Sequence, residues 1–154
     1  MNNYLYRILA ASLLLIGASA ATADATLEIS EAWVREAPPT ARMMAGYMTI
    51  NNTGDAAVTV ISISSPDFDS ADIHRTVIEE GVARMLPVKQ LEIPASSQVK
   101  LEPGGLHLML FDPKRPLREG ETVTLIIHRR DGDPLSTTSP VVRKTGEDHS
   151  HHHH

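Results

Sequence analysis

Four side chains carry the chemistry that stands out in this chain: His74, Met85, His107 and Met109. Ten residues separate His74 from Met85, twenty-one separate Met85 from His107, and one separates His107 from Met109. Thioether sulfur is a soft, uncharged donor and imidazole suits copper, so two of each favour Cu(I) over zinc, calcium or magnesium. The chain has no cysteine. Methionine is therefore its only sulfur, and a blue-copper electron-transfer centre, which needs a thiolate, is excluded. Four neutral ligands would leave Cu(I) with one net positive charge, able to pass to a thiolate site. A ligating imidazole must be neutral, so acid should weaken such a site.

Strands must bring these residues together, and the sequence reads as strand after strand. Alternating or β-branched runs predict strands over 27–34, 43–51, 58–63, 71–78, 82–88, 98–101, 106–111, 122–128 and 135–142. Turn signals separate them: Pro38-Pro39, Asn52-Thr53-Gly54-Asp55, Glu79-Glu80-Gly81, Pro103-Gly104-Gly105 and Asp131-Gly132-Asp133. Short strands at this spacing predict an all-β, single-domain antiparallel Greek-key β-sandwich. Within Leu106-His107-Leu108-Met109-Leu110 the leucines can face a core, which places His107 and Met109 together on the other face. The Pro-Gly-Gly turn before them should leave that face open. For the hairpin over 71–88, a Glu79-Glu80 turn would set His74 directly opposite Met85, and a Glu80-Gly81 turn would set them diagonally. Met43, Met44 and Met48 share a predicted strand with Tyr47 and Ile50 and read as core, with Met43 or Met44 able to line a copper path. His128, opposite the face of Val123, Leu125 and Ile127, reads as solvated.

The first 23 residues read as an address. One positive charge at Arg7, an apolar run from Ile8 to Ile16, and small residues up to Ala23 predict a cleaved secretory signal and an exported chain without a stable membrane anchor. Residues 24–145 form the expected domain. Residues 146–154 form a polar tail whose His149, His151, His152, His153 and His154 offer a second, flexible Cu(II) site, though an appended tag or a solvated tail without a role would read the same way. A formal charge of −5 without a basic block argues against nucleic acid. No nucleophile turn, carboxylate pair or phosphate loop marks an enzyme. The rival reading of the ligand set is a structural or adhesive sandwich with ordinary surface histidines and core methionines.

Taken with its flanks, the His-10-Met-21-His-x-Met spacing resembles the periplasmic PCuAC copper chaperones (DUF461). Leu91-Glu92-Ile93-Pro94-Ala95, Leu101-Glu102-Pro103-Gly104-Gly105, Lys114-Arg115-Pro116-Leu117, Ala32-Trp33 and Gly46-Tyr47-Met48-Thr49-Ile50 carry the likeness across most of residues 27–142. The resemblance implies a cupredoxin-like fold binding Cu(I). It also implies delivery to the CuA site of cytochrome c oxidase subunit II, sometimes alongside a Sco-type thiol protein. A periplasmic protein that only buffers copper is the alternative. A monomer is expected.

Overall fold

The structure is a computed structural model, and it describes residues 26–143. The predicted signal and the histidine-rich tail lie outside the described residues. Ten strands account for the fold: β1 (Leu27–Arg35), β2 (Met43–Asn52), β3 (Val58–Ser64), β4 (Phe68–Glu79), β5 (Val82–Pro87), β6 (Leu91–Ile93), β7 (Ser97–Leu101), β8 (Leu106–Pro113), β9 (Thr122–Arg129) and β10 (Leu135–Val142). There is no helix among the described residues. Nine strands fall where alternation predicts them. The tenth, β6, has only three residues before Pro94, too few to show a period.

Hydrogen bonding runs in the order β5-β4-β8-β2-β1-β10-β9-β3-β6, with β7 also on β2. The chain changes halves at β2–β3, β3–β4, β5–β6, β6–β7 and β8–β9, the crossing connections of a Greek-key sandwich. One correction to the antiparallel expectation is that β1 and β10 pair in parallel, Val34 with Val141 and Arg35 with Val142. The two halves close on one core. Val34, Met44, Met48, Ile50, Leu108 and Leu110 come from the first half, and Val58, Val60, Ile63, Val123, Leu125 and Ile127 from the second. Burying this apolar set holds the sandwich closed without a disulfide.

Two irregularities set which side chains reach the outer face of the first half. In β1 the register against β2 shifts between Ser30 and Trp33, and Glu31 has φ of 53°. That extra residue turns Trp33 and Arg35 to the face of Tyr47; with regular pairing they would lie on the core side. The second irregularity is longer. β7 pairs with β2 as far as Leu101 opposite Met48, and β8 resumes on the same edge with Leu108 opposite Gly46. Residues 102–107 therefore stand against Tyr47 alone. The excursion closes on itself through the Glu102 amide donating to the Leu106 carbonyl (2.6 Å) and the Gly105 amide donating to Glu102 (3.1 Å).

Candidate metal centre

β4 and β8 pair at the centre of the first half, and their register decides the site. His74 lies directly opposite His107, and Asp72 opposite Met109. Paired residues share a face. Leu108 and Leu110 are fully buried in the core, so His107 and Met109 occupy the outer side, as the leucine alternation predicts. The hairpin takes the second of its two turns. Glu79 pairs with Val82, and both loop residues have positive φ, 52° at Glu80 and 78° at Gly81, the type I′ geometry that suits strand twist. Thr76 then stands opposite Met85, which leaves Met85 diagonal to His74 on the same face.

The expectation of an open face needs correction. His107 is only 6% exposed, because it leaves the 102–107 excursion beside Tyr47 and β4. Its Nδ1 lies 3.1 Å from the Gly105 carbonyl. A carbonyl can only accept, so Nδ1 carries a proton, and of the two neutral tautomers this contact selects the one whose lone pair is on Nε2. That Nε2 is buried with no hydrogen-bond partner, and so is Nδ1 of His74. Leaving two such nitrogens unsatisfied costs about 1–3 kcal/mol each. The ring centroids are 6.0 Å apart. That span suits two imidazoles sharing one ion, each nitrogen about 2.0 Å from it. Met109 is half-buried beside this pair, and Met85 is 58% exposed on the edge strand. The donors fit a soft cation. Among the described residues no cluster of three or more His, Asp and Glu side chains offers a rival site for a harder metal.

A cleft of about 310 Å³ opens here, lined by His107, Met109, Met85, Tyr47, Arg35 and Met43 among others. Met43 corrects the core expectation: Met44 and Met48 are buried, but Met43 is 46% exposed. It pairs with Phe111 while Ala45 pairs with Met109, so it lies one step beyond Met109 on the same face. His128 is also corrected. It is half-buried, and its Nε2 lies 2.7 Å from the Ser64 hydroxyl. His149 and His151 to His154 lie outside the described residues. Sequence reasoning missed the Trp33, Tyr47 and Arg35 group beside the site. The rings stand 4.5 Å apart, and their meeting depends on the β1 bulge, which alternation does not reveal.

This architecture is that of a cupredoxin-like domain with soft donors gathered on one outer face. The chain belongs to the LpqE-like family, a family named for a lipoprotein, which matches residues 27–141. Among its relatives is the Leifsonia xyli subsp. xyli protein Lxx21020, 34% identical over 116 residues. That match takes in 75% of this chain and 66% of the relative, so the chain spans slightly under two thirds of the relative's length. The chain is also similar to the solution structure of Cu(I)-DR1885 from Deinococcus radiodurans, at 32% identity and a TM-score of 0.59, covering 82% of each chain. The copper-bound PCuAC domain of PmoF2 shares the fold at 20% identity and a TM-score of 0.65, covering 77% of this chain and 93% of that one.

Proposed function

We propose that this chain is a copper chaperone of the PCuAC type, acting outside the cytoplasm and binding Cu(I) through His74, Met85, His107 and Met109. One observation carries the reading: two buried imidazole nitrogens without partners belong to rings 6.0 Å apart at directly paired positions on β4 and β8, with Met85 and Met109 on the same face. The copper named in the two solved structures and the lipoprotein name of the family support it. The 154 residues contain no cysteine, so a thioether-linked lipid has no attachment atom within them.

His107 and His74 bind as neutral imidazoles, and the Gly105 carbonyl holds the His107 ring in the tautomer that ligation needs. Met109 supplies a soft donor from the same strand, and Met85 closes the set from the edge. No ligand is an anion, so release requires only that a better donor displace the thioethers. The onward step in this reading is delivery to the thiolate-containing CuA site of cytochrome c oxidase subunit II, with a Sco-type thiol protein as a second partner. Thiolates there would draw Cu(I) downhill. The periplasm is the compartment, the protein acts as a monomer, and it binds its cargo without transforming it. His149 and His151 to His154 would add a Cu(II) site.

A Cu(I) competition titration with a chromogenic chelator tests the reading on the chain beside His107→Ala and Met109→Ala. One tight equivalent, lost or weakened by roughly a hundredfold in His107→Ala, is expected. Binding indifferent to both substitutions would end the proposal and leave the tail as the metal site.

A further inference from the structure

One wall of the cleft carries a positive charge that the ligand set does not use. Arg35 closes β1, where Val34 pairs with Gly46, so Arg35 falls level with Ala45. Ala45 in turn pairs with Met109, so the side chain between Arg35 and Met109 in this row across the strands is a single methyl group. The Arg35 guanidinium carbon lies 5.8 Å from the centre of the Trp33 ring and 5.7 Å from that of Tyr47, within cation–π range of both. Its Nε is buried without a hydrogen-bond partner.

Carboxylates near the cleft do not neutralise it. Glu36, also in the cleft wall, is engaged by Arg143 through two contacts of 2.5 and 3.1 Å. Asp72 stands opposite Met109 but is exposed to solvent, where water screens it. Among the described residues none of the ion pairs includes Arg35. Two aromatic rings therefore hold a permanent cation beside a site built wholly from uncharged donors.

We propose that Arg35 makes this site select Cu(I) over Cu(II) by repulsion, without ligating the metal. The inference rests on the copper-site reading above. Two strand spacings separate the Arg35 and Met109 backbones by about 10 Å, which sets the scale of the charge–metal distance. At an effective dielectric of about 20, one unit charge at that distance shifts a second by roughly tenfold in occupancy. Cu(II) carries one charge more than Cu(I) and suffers that factor once more. The same repulsion loosens the hold on Cu(I) and favours release to an acceptor.

The test uses the full chain, so the tail is common to every variant. Wild type, Arg35→Leu, Arg35→Lys and Asp72→Asn are compared by anaerobic Cu(I) competition and by redox titration of the one-copper form. Arg35→Leu should bind Cu(I) up to about tenfold tighter, and its midpoint potential should fall by the equivalent of roughly tenfold in favour of Cu(II). Arg35→Lys should stay near wild type, and Asp72→Asn should move slightly the opposite way. A purely structural Arg35 would give the reverse sign, weaker Cu(I) binding with a lowered thermal midpoint. Arg35→Gln, checked by the near-ultraviolet signal of Trp33, replaces Arg35→Leu should that variant fail to fold. Folded variants with unchanged or weaker Cu(I) binding, beside a wild type that binds tightly, overturn this proposal alone. A wild type that binds no Cu(I) overturns the functional reading and this proposal together.

Discussion

The two neighbours of β4 hold their methionines in opposite ways. β8 is paired on both sides, packs Leu108 and Leu110 into the core and carries a nearly buried His107. β5 pairs only with β4, and each of its six residues is exposed. One half of the proposed ligand set is thus fixed by the same packing that stabilises the domain. Met85, alone of the four, sits on an edge strand where little prevents movement. A site that must hold and then surrender an ion gains from this division, because an incoming donor can displace the exposed thioether first. Arg84 and Pro87 on β5 also discourage the bare edge from pairing with another sheet.

The largest effect is expected on the core side of β8. Leu108→Ala should lower stability by about 2–5 kcal/mol in denaturant unfolding, whereas Leu86→Ala on β5 should cost under about 0.5 kcal/mol. Equal losses would show that β5 is packed. Next comes affinity: Met85→Ala should weaken Cu(I) binding by roughly tenfold, well short of the loss in His107→Ala, and should speed transfer to a thiolate chelator in stopped-flow. A smaller effect is expected at the hairpin tip. Gly81 has positive φ and open space where a Cβ would sit, so Gly81→Ala should cost only about 1 kcal/mol, read from the thermal midpoint.

The smallest effect concerns the clamp between the first and last strands. The Arg143 guanidinium holds the Glu36 carboxyl below its usual 4.5. A lowered native value contributes stability above the unfolded value and loses it as pH falls through the native one. Arg143→Gln should therefore lower the thermal midpoint slightly at neutral pH, with the difference vanishing as the pH is taken down from 4.5. A difference that persists in acid would assign the clamp to packing.

Much of this arrangement is legible in the sequence alone. The period of two in Leu106 to Leu110 assigned His107 and Met109 to one face, because three leucines leave a strand little choice of core side. The hairpin left two registers open, and Gly81 decided between them by accepting positive φ. Long-range pairing was not legible. The parallel contact of Val34 with Val141 joins strands at opposite ends of the chain, and no local pattern encodes it. Met43 misled because adjacent methionines look equally apolar, although alternation sends one in and one out. Trp33 and Arg35 were hidden by a single extra residue in β1, which reverses the face of everything after it.

The excursion between β7 and β8 has a consequence for how such a chain can vary. Pairing with β2 stops at Leu101 and restarts at Leu108, so the intervening backbone works as a slack joint between two fixed registers. A residue gained or lost near Pro103 or Gly104 can be absorbed there, because β2 and β4 set the phase of His107 and Met109 downstream. The loop over the proposed metal face can therefore be redrawn for different protein surfaces while the side chains beneath it keep their places.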